Sequence, residues 1–265
     1  MTVQDDIRSD PDATTVTRAE VCVVACAEAW RGDGEILASP MLAIPTIAAR
    51  TARATFEPDL LLSDGESKLV AGTWAVDEKP AADQIEGYVP FRTIFDIMWS
   101  GKRHVMMSPS QIDRFGNANI SAIGDFARPT IQLLGVRGAP GNTVNHATSY
   151  WVPKHSTRIF VPAVDMVSGV GYDRARAVGG DVERDVDIRR VVTNLAVLDF
   201  GGPDHSARLV SVHPGVTVDQ VVDATGFELD VPADVPVTRL PSAEELRVIR
   251  ELVDPRGLRE KEVRA

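Results

Sequence analysis

Three short stretches carry the residue types from which a polar binding site is built. Ser110–Asn119 follows a run that reads as a buried strand and presents Gln111, Asp113, Asn117 and Asn119. Those side chains supply donors and acceptors suited to an amide or carbonyl ligand, although a turn network could consume the same groups internally. The second stretch, Gly135-Val-Arg137-Gly138-Ala-Pro-Gly-Asn142, is read the same way, with Asn145, His146 and Ser149 just beyond. Its glycines let the backbone approach a ligand with N–H groups exposed. Arg137 could bind a carboxylate in fork geometry or stabilise an enolate, or could make a structural ion pair. His146 and His205 are each either a base or a packed, hydrogen-bonded ring. In the third stretch, Ser63-Asp64-Gly65-Glu66, an apolar strand gives way to a turn, where ligand contacts gather in open α/β sheets. Ordinary turn chemistry accounts for Asp64-Gly65 equally well. The expected site therefore has Arg137 as its catalytic group, with Ser63, Asp64, Gln111, Asn117, Asn119, Gly138, Asn142 and His146 against the substrate.

Other chemistries find no support. The chain has no phosphate-binding P-loop, no dinucleotide glycine fingerprint, no His-Glu-x-x-His and no Gly-x-Ser-x-Gly elbow. Its five histidines are scattered, and no His or Cys near Cys22 and Cys26 completes a ligand set, so no metal is expected. A net charge of −10 argues against nucleic acid or an anionic membrane as partner. No apolar run approaches the ~20 residues of a spanning helix, and no secretory pattern opens the chain. The expectation is a soluble, reduced, cytoplasmic protein.

The elements that must hold these stretches alternate. Residues 1–16 are polar and acidic and predict a loose tail. Thr17 and Glu20 form a capping box for a buried helix that Gly32 and Gly34 stop. Strands are predicted at Glu35–Ser39, Asp59–Leu62 and His104–Met107, with helices at Pro45–Thr55 and Phe91–Trp99. This alternation predicts an α/β fold: an open, mostly parallel mixed sheet with helices on both faces. The second half reads as β-rich at Arg158–Val167, Arg189–Phe200 and Ala207–Val212. Arg174–Asp187 reads as an exposed excursion, and helices are predicted at Thr217–Ala224 and Ser242–Asp254. Without a clear linker, residues 17–265 are expected to form one domain.

Four stretches resemble the β subunits of class I coenzyme A transferases. They are Gln111-Ile-Asp113 with Gly116-Asn117, the Gly135-x-x-Gly138 turn, Val191–Phe200, and Pro214-Gly-Val-Thr-Val-Asp-Gln-Val-Val-Asp-Ala-Thr-Gly226. The last is quite specific to that family. The resemblance, over about Thr17 to Asp254, implies a CoA-transferase-like fold and an α-subunit partner, in a heterodimer or heterotetramer, with a CoA thioester site between them. Two positions depart from the transferase pattern. Ser63 stands where the transferases carry the glutamate that is acylated, and Arg137 replaces a glycine of the oxyanion-binding turn. Both departures are similar to the ring-opening hydrolases within the family, which act in steroid and cholesterol catabolism. That similarity implies C–C bond hydrolysis of the last steroid-derived ring of a cyclic keto-acyl-CoA, giving a linear dioxo-diacyl-CoA. It also implies that the α subunit supplies a catalytic glutamate as general base, and that the CoA thioester is substrate with no further cofactor. Two other readings stay open. One is a transferase using Asp64 or Glu66 as acyl acceptor; the other is a non-catalytic subunit that completes the partner's pocket.

Overall fold

The computed structural model describes residues 15–65 and 67–263. Most of the tail expected at 1–16, and Glu66, lie outside the described residues. The strands are β1 (Leu37–Pro40), β2 (Lys68–Val70), β3 (Ile85–Tyr88), β4 (Arg103–Met107), β5 (Gln111–Ile112), β6 (Ala118–Asn119), β7 (Ala122–Ile123), β8 (Ile131–Gln132), β9 (Ala147–Val152), β10 (Ile188–Thr193), β11 (Ala196–Asp199) and β12 (Arg208–Val212). The helices are α1 (Arg18–Ala27), α2 (Ala43–Thr55), α3 (Phe91–Trp99), α4 (Ala139–Asn145), α5 (Tyr172–Val178), α6 (Gly180–Asp185), α7 (Val218–Asp223), α8 (Ala243–Arg247) and α9 (Arg259–Glu262). A π-helical turn, Val248–Val253, extends α8.

Six strands form the central sheet in the order β1-β4-β9-β10-β11-β12. The first four run parallel, and β11 and β12 add an antiparallel meander. The period-two alternation of side chains sorts each strand between two cores. Met106, Trp151 and Val192 join α1, α2 and the π turn on one face. Val105, Met107, Tyr150, Val152 and Val191 join α4, α5 and α7 on the other. The predicted mostly parallel sheet, covered on both faces, is what forms.

Local signals set the helix ends. Thr17 caps α1 in a complete capping box with Glu20, and Ser242 does the same for α8 with Glu245. The first carboxylate does more than cap. Glu20 is fully buried and also receives Arg250 at 2.7 Å and Arg259 at 3.1 Å. Removing it would strand buried positive charge, a loss of ~3–5 kcal/mol.

Three expected elements differ. Residues 59–62 make no regular strand; Leu61 forms a single bridge to Leu37 beside β1, and the chain then turns away at Ser63. Nor do residues 158–167, where Phe160 bridges Ile112 and the rest is turn and coil. The run before Gly135 is no buried strand either. β8 has two exposed residues, and Gly138 begins helix α4 in place of an extended turn. In each case the apolar run meets its neighbouring strand at only a single bridge or a two-residue pairing, too little for a longer ladder. The excursion at 174–187 is exposed as expected but is largely the short helices α5 and α6.

Candidate functional site

The first polar stretch folds back on itself just beyond the C-terminal end of β4. Gln111 Oε1 accepts from Asn119 Nδ2 at 2.7 Å and from the Asp165 N–H at 3.0 Å, while Gln111 Nε2 donates to Asp165 Oδ2 at 3.0 Å. Asn119 Nδ2 also donates to the Ala122 carbonyl, and its Oδ1 accepts from Ser121 N–H. One turn further, Asn117 Nδ2 donates to Asp113 and Asp173, and Asn117 Oδ1 accepts from Gly171 N–H. Burial raises the Asp113 pKa, opposed by the Asn117 amide and by the N–H groups of Phe115 and Asn117. Gly116, at φ 83°, is required here, because a Cβ would meet Ile188 and Phe200 at 2.8 Å. These amides are thus occupied in fixing two hairpins at the strand ends.

The second stretch hangs from the first. Asp165 Oδ2 accepts from Gly124 N–H, and both Gln132 Nε2 and Leu133 N–H reach the Ser121 carbonyl. The chain then enters the turn Gly135–Gly138. Arg137 adopts φ 51° there, in the left-handed region that a bulky residue seldom occupies. Its Nε donates to the Leu134 carbonyl at 3.1 Å. No carboxylate pairs with it among the described residues, so the ion-pair alternative is not realised there. The exposed guanidinium keeps its two terminal nitrogens for another partner.

Asn142 and His146 lie behind this turn, between α4 and the sheet. Asn142 Oδ1 accepts from Arg103 at 2.9 Å, and its Nδ2 donates to Met107 Sδ at 3.3 Å. His146 is 4% exposed; its Nδ1–H donates to the Ala147 carbonyl, and Nε2 has no partner. Burial pushes its pKa down to about 4, so the ring is neutral at pH 7 and a weak base.

Ser63 and Asp64 organise a separate turn. Ser63 Oγ accepts from Gly65 N–H at 3.2 Å, and Asp64 Oδ1 accepts from the N–H groups of Ser67 and Lys68. Among the described residues no histidine or carboxylate side chain hydrogen-bonds Ser63, so the hydroxyl has no base to activate it there. The expected residues fall into these local groups. Gln111 and Asn119 join directly, Asn117 sits beside them and Arg137 follows through Asp165. Asn142 and His146 pack behind, and the Ser63 turn stands on its own hairpin. A cavity of about 450 Å³ beside that hairpin is lined by Leu61, Leu62, Leu69 and Arg53, but not by Ser63 or Asp64. Of the expected residues Arg137 is exposed and Ser63, Asp64 and Gly138 are half-buried, whereas Gln111, Asn117, Asn119, Asn142 and His146 are buried.

One constellation had no signal in the sequence. His104 Nδ1 is 2.7 Å from Asp33 Oδ2, and His104 Nε2 is 2.9 Å from Ser149 Oγ. The residue types match a hydrolytic triad, but His104 and Ser149 are fully buried, so no substrate reaches the hydroxyl. The relay ties the first strands together near their N-terminal ends. Burial lowers the His104 pKa despite the adjacent carboxylate. In the sequence Asp33 is only the residue between the helix-stopping Gly32 and Gly34. No cluster able to hold a metal, and no helix long and apolar enough to cross a membrane, occurs among the described residues.

The family model for coenzyme A transferase matches residues 32–224. The chain belongs to the coenzyme A transferase family. It is 57% identical over 250 residues to the cholesterol ring-cleaving hydrolase IpdB subunit of Rhodococcus jostii, covering 94% of this chain and 97% of that one. The crystal structure of Rhodococcus jostii IpdAB superposes with a TM-score of 0.91 at 56% identity, covering 95% of this chain and 100% of that one. Glutaconate coenzyme A-transferase from Acidaminococcus fermentans shares the fold at a TM-score of 0.78 and 21% identity, covering 95% and 99%.

Proposed function

We propose that this chain is the β subunit of a heteromeric hydrolase that opens the last steroid-derived ring of a cyclic keto-acyl-CoA by C–C bond hydrolysis. The observation that carries this reading is the 57% identity, over nearly the whole of both chains, to a ring-cleaving hydrolase subunit. The local chemistry supports it. A transferase needs a carboxylate to take the acyl group and then CoA. Ser63 stands at that position, and Asp64 Oδ1 is engaged by two backbone N–H groups.

In this reaction water adds to the ring ketone, the adjacent C–C bond breaks, and its electron pair passes into a thioester enolate that is then protonated. Negative charge develops first on the ketone oxygen and then on the enolate. The Arg137 guanidinium, held on a left-handed turn with no carboxylate paired to it among the described residues, is the group we assign to that charge. Ser63, Asp64 and the Gly138 backbone would line the thioester. Gln111, Asn117 and Asn119 would act through the hairpins they hold, and Asn142 and His146 by backing the Arg137 turn. The partner subunit supplies the general base, a glutamate, as the resemblance to the ring-opening hydrolases implies, and burial leaves His146 of this chain a weak base. The CoA thioester is the substrate, no further cofactor is invoked, and the complex works in the cytoplasm.

The test is co-expression with the α subunit and assay of the complex on ring-keto CoA thioesters, with hydroxylamine added to a parallel incubation. Ring opening with no trapped glutamyl or aspartyl adduct on this chain is expected. A trapped adduct with CoA exchange between carboxylates would replace the hydrolase by a transferase.

A further inference from the structure

Arg103, at the start of β4, is placed by the fold where no sequence motif pointed. Its side chain runs along the sheet under α4. Nε donates to Ser39 Oγ at 2.8 Å and Nη1 to Asn142 Oδ1 at 2.9 Å. Both acceptors are neutral, and among the described residues no carboxylate lies within 4 Å of the guanidinium. Three other covered arginines have their charge answered. Arg259 meets Glu20 and Asp254, Arg189 meets Asp33, and Arg50 lies 3.8 Å from the Trp74 ring centre. Arg18 points its terminal nitrogens at two backbone carbonyls. Among the described residues Arg103 has only its two neutral side-chain contacts, and Nη2 makes no hydrogen bond to them yet is not sealed from solvent.

The adjoining groups do not neutralise it. His146 precedes Ala147, the register partner of His104, and so stands beside Arg103 on the same face. Its Nδ1–H faces a carbonyl, and burial keeps the ring uncharged. Lys102 adds positive charge. The surroundings are apolar and open. On the Ser39 side, Met41 and Leu42 are exposed where the chain leaves β1. On the Asn142 side, Gly141 packs against Met98 of α3. From that helix Phe91 (78% exposed), Phe95 and Trp99 stand in solvent. A large apolar surface of this kind marks an interaction site. An uncompensated guanidinium between two such patches is what an interface anchor requires.

We infer that Arg103 is the charged anchor of the subunit interface, taking a carboxylate side chain of the partner subunit between the Met41–Leu42 edge and the aromatic face of α3. The inference rests on the heteromeric reading above. Its readout is assembly, which needs no substrate, so a failed hydrolase assignment and a failed anchor are distinguishable.

The experiment measures subunit dissociation of the co-expressed complex by sedimentation over a dilution series, for wild type, Arg103→Met, Arg103→Lys and Ser39→Ala. Truncating one side of a covered charge pair chiefly speeds dissociation and costs at least about thirtyfold in affinity. Arg103→Met is expected to weaken assembly by that much, and Arg103→Lys by less, since it keeps the charge but loses the planar fork. Ser39→Ala, which leaves the cation in place, is expected to weaken assembly least. Three results would overturn the anchor. Wild-type assembly of Arg103→Met with a raised KM would assign the anion to substrate. Wild-type assembly with only a lower melting temperature would make Arg103 an internal strut. Equal weakening by Ser39→Ala and Arg103→Met would say the same. Should Arg103→Met not be recovered folded, Arg103→Lys decides: wild-type affinity overturns the anchor, and a weakening of threefold or more supports it.

Discussion

Gln111 and Asp165 hold each other twice: the Asp165 N–H donates to Gln111 Oε1, and Gln111 Nε2 donates to Asp165 Oδ2, both at 3.0 Å. The same Asp165 oxygen accepts from Gly124 N–H at 2.8 Å. This exposed carboxylate therefore couples the hairpin at the end of β4 to the hairpin that leads into the Arg137 turn.

Asp165→Ala is expected to lower kcat/KM of the complex about tenfold through the loosened turn. The melting temperature should fall by only a few degrees, because an exposed set of hydrogen bonds contributes ~1 kcal/mol. Steady-state kinetics and thermal unfolding on the same preparation check it. An unchanged kcat/KM would show that the two hairpins are not coupled through Asp165.

Arg137 should separate stability from activity. Its φ of 51° costs an L residue about 1 kcal/mol that glycine would not bear. Arg137→Gly is therefore expected to raise the melting temperature slightly while reducing the rate ~100-fold, since a fixed donor at a developing oxyanion is worth ~3 kcal/mol. Arg137→Lys should fall between.

Ser63→Ala should cost little, up to about tenfold in rate, because water and not the hydroxyl accepts the acyl group. A crippled Ser63→Ala beside a nearly normal Arg137→Ala would reverse the roles assigned here.

The fold should weaken in mild acid through its histidines. Burial pushes His146 and His213 down to about 4 and His155 to about 3. The unfolded rings take protons below about 6.5. Between there and about 4 the unfolded state binds protons that the folded state refuses, so stability falls as pH falls. Melting temperatures at pH 8 and 7 should be close, with a progressive decline at 6 and 5. A flat profile would show that these rings are protonated in the folded protein.

Gly116→Ala should destabilise by at least about 2 kcal/mol. The left-handed backbone and a Cβ at 2.8 Å from Ile188 and Phe200 add strain and overpacking. Thermal unfolding measures it directly; a loss under about 0.5 kcal/mol would mean the hairpin shifts freely.

What the chain's local chemistry determined was legible by reading it in order. The capping boxes at Thr17–Glu20 and Ser242–Glu245, the helix Phe91–Trp99 and the strand at 104–107 depend on neighbours within one or two turns. The alternation of such elements was enough for a mostly parallel sheet. The polar residues at 111–119 were visible as a cluster, but whether their amides faced a ligand or each other depended on Asp165 and Asp173, more than 50 residues away. Only the tertiary structure could place Asp33, 71 residues from His104, or Arg103, 64 residues from Ser39. It also decided that residues 59–62 and 158–167 would stay irregular, since an apolar run becomes a strand only where another strand offers it a ladder. Helix caps and side-chain periodicity are short-range energies written along the chain. Charge pairing, burial and ladder formation are energies between distant segments, and these positioned the site.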